Sequence, residues 1–392
     1  MKTFSKKICE ETKKSKLIVY GTGAVGEIAY YALKSWGREP DFFCDHDPNK
    51  RQFFNIDVLQ PEELTNIKDV VIIIAFKDFL RSAVRILRQQ GISNYYSMLD
   101  LIGLDIDKSL LSISAQEFLV RKGNYDELLN HAEDDNWICI QHLELVVTER
   151  CTLMCKDCSA LIPYYKQASD FDVSQICKSF DKLLKTIDQI AELSILGGEP
   201  LLNKELFKLL EYYRSSDKIG AIVIYTNGTI LPCDDLIRCL INSNIWIHIS
   251  DYGVPSSKIE ELCALFEEKG IRYFVKKYEK WQSAGGLDKR NHTDETLRWM
   301  YSRCFKARCY SFYKDKLYAC ARGSNGASIG IIPDADYIDY SIDETTKERK
   351  EQLSKLISKE YIEACKYCDG MIVGHADVAP AIQVKRSCKD DK

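Results

Sequence analysis

At 392 residues the chain is long for a single core, and domain-size statistics divide it into roughly two or three parts. A hydrophobic fraction of 45% with 29% charged residues is that of a soluble globular protein, and a net charge of -4 argues against a nucleic-acid partner. The longest strongly apolar run, Val70 to Phe76, falls far short of a membrane span, and the charged start of the chain opens no signal region. A cytoplasmic protein with no membrane partner is therefore expected.

The first predicted strand, Leu17 to Tyr20, runs into Gly21-Thr22-Gly23-Ala24-Val25-Gly26 and then a helix to about Lys34. A second strand, Phe42 to Cys44, stops at Asp45, and a third, Val70 to Ala75, is continuous enough to be a buried parallel strand. This alternation over residues 1–104 predicts a doubly wound sheet. A G-x-G-x-x-G motif between a strand and a helix is a dinucleotide fingerprint, and Asp45 stands about where a ribose-binding acid is expected. Gly21, Gly23, Gly26 and Asp45 are thus candidate contacts for NAD or a nucleotide sugar, with a structural or docking role as the alternative. A helical connector is expected over 105–140, with a capping box at Ser114-x-x-Glu117.

Residues 141–300 read as a second α/β domain. Its first strand, Leu143 to Val147 with His142 just before it, enters Cys151-Thr152-Leu153-Met154-Cys155-Lys156-Asp157-Cys158. Ile176, Phe180, Leu183, Leu184, Ile187 and Ile190 then share one helical face. The strand Leu193 to Leu196 ends in Gly197-Gly198-Glu199-Pro200, Ala221 to Tyr225 ends in Thr226-Asn227-Gly228, and Ile245 to Ser250 ends in Asp251-Tyr252-Gly253. Ser257-x-x-Glu260 predicts a helix closed by Gly270, followed by the strand Arg272 to Val275. The spacing is that of a barrel, in which chemistry gathers where the strands end.

In a reducing compartment the 16 cysteines do not form a disulfide framework, and close-set ones indicate metal or redox chemistry. Cys177, Cys239 and Cys263 fall in apolar helical patterns, and Cys9, Cys44, Cys139, Cys233 and Cys388 lack ligand spacing. Cys151, Cys155 and Cys158 form a C-x3-C-x2-C loop, which can hold three irons of a cubane cluster and leave the fourth open to a ligand. Zinc completed by a distant fourth cysteine is the alternative.

The cysteine loop, Gly197-Gly198-Glu199 and the strand-end Asn227-Gly228 together resemble the radical SAM superfamily over roughly residues 140–275. The resemblance implies a partial (β/α)6 barrel, a [4Fe–4S] cluster on Cys151, Cys155 and Cys158, and S-adenosylmethionine on the open iron. It implies that the Gly197-Gly198 backbone grips the methionine amino group, with Glu199 as its negative partner. Asn227, Ser250 and Asp251 lie where the family contacts ribose and carboxylate. One departure is Asp157, where the family often has an aromatic residue beside the adenine; Tyr164 and Tyr165 are candidate substitutes.

The region 301–392 brings Cys304, Cys309, Cys320, Cys365 and Cys368, with a hairpin turning near Lys314-Asp315. This layout resembles the twitch or SPASM-type auxiliary domain and implies a second [4Fe–4S] cluster, with one of Cys304 and Cys309 not a ligand; zinc is again the alternative. Asp315 stands where the family pattern has glycine. The N-terminal region resembles Rossmann-like domains fused to sugar-modifying enzymes. The whole implies a radical SAM enzyme of oxidoreductase or lyase type acting on a sugar or nucleotide-linked sugar, with flavodoxin or ferredoxin as electron donor. A peptide maturase is the nearest alternative, and an NAD-dependent oxidoreductase or scaffold with structural zinc the alternative of another class. His248 is expected to pack in or face the barrel, and Trp281 is a candidate cover for substrate. No catalytic acid or base is assigned.

Overall fold

A computed structural model describes every residue except 48, 76–79, 105, 121–129, 135, 308, 373–375 and 386–392, so Cys388 and His375 lie outside the described residues. The chain divides into two units, Met1–Trp137 and Ile138–Lys392.

In the first unit, β1 (Lys16–Tyr20), β2 (Phe42–Cys44), β3 (Gln52–Phe53), β4 (Ile56–Leu59), β5 (Val70–Ile74) and β6 (Tyr95–Ser97) form one sheet in the order β3-β4-β2-β1-β5-β6. The pairs are parallel except for the β3–β4 hairpin. Winding reverses between β1 and β5, the doubly wound arrangement predicted. The apolar runs supply the reason: Leu17 to Tyr20 and Val71 to Ile74 are fully buried, as strands covered on both faces must be. Gly21 has φ +129, and a Cβ there would stand 2.3 Å from the Ala75 carbonyl oxygen. A Cβ on Gly26 would stand 2.0 Å from the Gly21 carbonyl oxygen, so the helix Ala24–Ser35 presses directly on the turn. The capping box expected at Ser114 is not formed. The helix Ile113–Val120 begins one residue earlier, and Ser112 Oγ accepts from Ala115 N at 3.3 Å.

In the second unit, β7 (Cys139–Val146), β8 (Gln189–Leu196), β9 (Ile219–Thr226), β10 (Trp246–Asp251) and β11 (Tyr273–Lys277) follow one another as parallel neighbours. The short strand β12 (Trp281–Gln282) lies outside that sheet. The next strands, β13 (Cys309–Tyr313), β14 (Lys316–Tyr318) and β15 (Tyr337–Asp339), complete the order β11-β10-β9-β8-β7-β13-β14-β15. Six parallel strands thus make the partial barrel, but β13 closes it beside β7 and not after β11. Helices Val173–Thr186, Leu206–Tyr213, Asp234–Leu240 and Ile259–Lys269 cover the outside. Their apolar faces, Phe180, Leu209 and Phe266 among them, are about 1% exposed or less and meet the sheet in one continuous core.

Two boundaries differ from expectation. The helix ends at Thr186 and β8 begins at Gln189, so Ile190 is a strand residue, not part of the helical face. His142 lies inside β7, not before it. The expected hairpin joins β13 to β14 through Lys314 and Asp315, both at positive φ (46 and 63). Asp315 tolerates that conformation because Ser179 Oγ and Gln175 Nε2 donate to its carboxylate at 2.6 and 2.9 Å. Gly270, at φ +64, ends the helix Ile259–Lys269 as predicted, whereas Lys258, not Ser257, precedes its first turn. A last strand, β16 (Asp377–Val378), pairs antiparallel with β12. Among the described residues no helix is long and apolar enough to cross a membrane.

Candidate active site

The cysteine loop begins where β7 stops. Beyond β7 and β8 the two chains stay in register: Gly198 N donates to Thr148 O at 2.9 Å, and Glu199 N to Arg150 O at 2.8 Å. There is no room for side chains on the glycines. A Cβ on Gly197 would stand 2.4 Å from Thr148 O, and one on Gly198 would stand 2.2 Å from Arg150 O and 2.8 Å from Cys151 Cβ. The glycine pair is therefore required first by the backbone carrying Cys151. Gly198→Ala is expected to displace that backbone and lower the iron content of the purified protein; full iron retention would contradict this account.

Hydrogen-bond donors point at all three sulfurs. Cys151 Sγ accepts from Leu153 N at 3.4 Å and from Asn227 Nδ2 at 3.5 Å. Cys155 Sγ accepts from Gln383 Nε2 at 3.3 Å, and the amides of Ile162, Ala160 and Leu161 face Cys158. Burial nevertheless pushes the Cys151 thiol up to about 12, the Cys155 thiol up to about 11, and the Cys158 thiol upward. Partly to fully buried sulfurs faced by N–H groups suit thiolates whose charge a metal neutralises. The donor set fits a cluster held by three cysteines.

Glu199 is fully buried, its oxygens accepting from Leu201 N at 3.2 Å and Asn227 N at 2.8 Å. It ties the β8 loop to the β9 loop. Asn227 Nδ2 also donates to Thr152 Oγ1 at 3.0 Å, locking the cysteine loop to the same point. Burial pushes the Glu199 carboxyl up to about 7, despite hydrogen bonds from Asn227, Leu201 and Thr226 that lower it. The folded state then keeps a proton that the unfolded chain releases near 4.5. Stability should fall by roughly 3 kcal/mol as pH rises from about 4.5 to about 7. Melting temperatures at about pH 5 and about pH 7 should therefore converge in Glu199→Gln relative to the parent.

Ser250 and Asp251 end β10. The Ser250 carbonyl accepts from Ser256 Oγ at 3.0 Å, and Asp251 Oδ1 accepts from Gly253 N at 2.8 Å. Next in the chain is Tyr252, an aromatic residue not singled out from the sequence. Its phenol is close enough to Cys155 and Cys158 to feel their charge, and its ring meets Trp281 and Tyr278 at 5.2 and 5.6 Å. Tyr164 is 42% exposed, whereas Tyr165 is buried with its hydroxyl on Asn325 Oδ1 at 2.9 Å. His248 is packed in the barrel, stacked on Tyr225 at 4.4 Å.

A second cysteine group forms about 30 Å³ of space lined by Cys304, Cys320, Cys365 and Cys368 together with Arg322 and Lys306. Burial pushes Cys320 and Cys365 each up to about 12. Cys309 is not in this lining. It sits in β13 with its sulfur 3.3 Å from Glu144 Oε1. The four grouped thiols fit a fully ligated second cluster.

A cavity of about 170 Å³ lies between the two groups, lined by Gly197, Gly198, Ser159 and Ala160 on one side and Cys304, Cys320 and Cys368 on the other. Its polar wall includes Glu144, Glu149, Tyr165, Lys306, Arg322 and Asn325. Lys314 Nζ donates to Glu149 at 2.6 Å, and Tyr313 and Ser328 also donate to that carboxylate. Lys306 Nζ donates to Glu144 at 2.6 Å. Burial alone would raise the Glu144 carboxyl, but the Lys306 ammonium outweighs it and holds the group low. Lys306→Met should leave this carboxylate buried without its ammonium partner, lowering stability by about 3 kcal/mol in denaturant unfolding. Sequence reasoning missed Glu144, Glu149, Lys306 and Arg322, although Glu149 precedes Cys151 by only two positions and Lys306 lies between Cys304 and Cys309.

In the first unit, the space at Gly23 is open, with nothing within 4 Å of an added Cβ. Asp45 is already engaged: Oδ2 accepts from Thr22 N at 3.0 Å and from Thr22 Oγ1, and Oδ1 accepts from Asp47 N at 3.0 Å. A ribose diol would have to displace these contacts. The structure brings Gly21, Gly26 and Asp45 to one turn without leaving the carboxylate free.

Residues 145–254 match the family model of the radical SAM superfamily. GTP 3′,8-cyclase of Clostridium acetobutylicum is 35% identical over 95 residues, covering 24% of this chain and 29% of that protein. The enzyme of the same name from Campylobacter jejuni subsp. doylei is 35% identical over 114 residues, covering 27% and 32%. The chain thus spans about a third of the length of these curated relatives. Among solved structures, BtrN in complex with AdoMet and 2-DOIA aligns with TM-score 0.36 at 16% identity, over 60% of this chain and 93% of that one. Streptococcus suis SuiB bound to S-adenosylmethionine aligns with TM-score 0.31 at 19% identity, over 53% and 47%. The segment 145–254, which holds the cysteine loop and the Gly197-Gly198 turn, is thus the part of the chain that matches the radical SAM superfamily.

Proposed function

We propose that the chain is a radical SAM oxidoreductase acting on a small hydroxylated molecule, a sugar or nucleotide-linked sugar, held between two iron–sulfur sites. The observation that carries this reading is the 170 Å³ cavity whose opposite walls are Gly197-Gly198 and the cysteines Cys304, Cys320 and Cys368. When bound, a [4Fe–4S] cluster and S-adenosylmethionine supply a 5′-deoxyadenosyl radical that abstracts a hydrogen atom.

Cys151, Cys155 and Cys158 would hold that cluster, and Gly197, Gly198, Asn227, Ser250 and Asp251 would surround the cofactor. Glu199, spent on Asn227 N and Leu201 N, would shape this pocket more than neutralise an ammonium. Cys304, Cys320, Cys365 and Cys368 would hold the second cluster. In an oxidation the substrate loses a hydrogen atom, then one electron and one proton. The cysteine wall stands where the electron would leave, and Glu149 and Glu144 are the carboxylates placed to orient hydroxyls or receive the proton. The cavity is smaller than the ~300–1,000 Å³ of pockets for drug-sized ligands, which favours the sugar over the nucleotide-linked sugar as its occupant. The open turn at Gly23 is a separate candidate contact for a nucleotide, and the engagement of Asp45 weighs toward a structural role for the first unit. A flavodoxin or ferredoxin would supply the reducing electron.

The test is anaerobic incubation with a panel of position-deuterated sugars and nucleotide sugars under reducing conditions. Deuterium should appear in 5′-deoxyadenosine with one compound, matched by its two-electron oxidation. Cofactor cleavage without transfer from any carbohydrate, but with transfer from a peptide, would overturn the substrate class.

A further inference from the structure

Beyond β16 the chain runs alongside the cysteine loop. Val384 N donates to Met154 O at 2.8 Å and Lys156 N donates to Ile382 O at 2.7 Å, making an antiparallel bridge centred on Cys155 and Gln383. The Gln383 amide uses both ends. Its Oε1 accepts from Met154 N at 2.7 Å, while Nε2 donates to Cys155 Sγ at 3.3 Å and to Ala381 O at 2.7 Å. Cys155 is only 6% exposed and Ala381 3%, so the strap seals this side of the loop. The sulfur and its donor are 228 residues apart in the chain.

A neutral thiol is a weak acceptor, whereas a metal-bound thiolate is a strong one. An amide fixed by two further hydrogen bonds and aimed at that sulfur is therefore matched to a charged Cys155. Hydrogen bonds to cluster sulfurs and exclusion of solvent are the protein's means of setting a cluster potential. Negative charge on sulfur grows on reduction, so a donor there favours the reduced state.

We propose that Gln383 is a positioning residue for the metal centre of Cys151, Cys155 and Cys158, easing its reduction through the Cys155 sulfur while the strap shields the loop from oxidants. This rests on the reading that those three cysteines hold a cluster. It makes the C-terminal segment part of the radical-generating site, through a contact that the cysteine loop itself does not encode.

The test is a redox titration of the full chain, purified anaerobically and followed by the EPR signal that changes on adding S-adenosylmethionine. Gln383→Leu should keep its iron but show a reduced fraction about tenfold lower relative to oxidised at the parent midpoint, a shift of about 59 mV to more negative potential for one electron. A chain ending at residue 376 should show at least the same shift and bleach faster in air. An unchanged midpoint in Gln383→Leu, or parental bleaching in the shortened chain, overturns the proposal. One measurement needs no variant: pulsed EPR of the reduced cluster in protein carrying 15N in glutamine side chains should reveal a coupled 15N, and its absence overturns the contact. Triple replacement of Cys151, Cys155 and Cys158 by alanine separates the two readings. Retention of all iron there would sink the cluster assignment itself, whereas iron loss with an unchanged Gln383→Leu midpoint would sink only the role of Gln383.

Discussion

Cys151→Ala, Cys155→Ala and Cys158→Ala combined should reduce 5′-deoxyadenosine formation to background while leaving about four of about eight irons per chain, as expected for one surviving four-iron cluster. The physical reason is the way these sulfurs are placed. Each is at least half-buried and faced by N–H donors, and among the described residues no protein cation is in hydrogen-bond contact with them, so the charge of three thiolates needs a metal. Colorimetric iron and sulfide assays with chromatographic measurement of 5′-deoxyadenosine make the check. Persistent cleavage in the triple variant would show that the radical is generated elsewhere.

The second large effect is expected among the C-terminal cysteines. Cys304, Cys320, Cys365 and Cys368 surround one small space, so alanine at any of them should cost the second cluster, about four irons, while S-adenosylmethionine is still cleaved. Cys309→Ala should leave both clusters in place, because its sulfur faces Glu144 from within β13. Mössbauer spectra of the five single variants would decide between the two cysteines. A second-cluster loss in Cys309→Ala with retention in Cys304→Ala would reverse the assignment.

The cysteine spacing, the Gly197-Gly198 turn and the strand-end loops were legible because they are local: each joins a strand end to residues only a few positions away. The apolar runs of β1, β5 and β8 were legible for the same reason, since burial on both faces leaves a continuous pattern. What could not be read depends on distant residues. Nothing near Cys309 reveals that its strand pairs with β7 or that its sulfur meets Glu144, 165 positions earlier. The Glu149–Lys314 ion pair and the Gln383 contact likewise arise only once the sheet has formed. The Gly197-Gly198 pair was read as a close approach to a ligand, whereas the neighbour that the structure shows against both glycines is the protein's own Thr148–Cys151 segment.

The placement of β13 beside β7 also fixes an order of events during synthesis. The strand leading into the cysteine loop keeps one row of backbone amides and carbonyls unpaired until residues 309–313 leave the ribosome. Such an edge invites pairing with other chains, and so long a sequence separation slows its closure. A nascent chain arrested before residue 309 would thus be an aggregation-prone species, however complete its first five barrel strands.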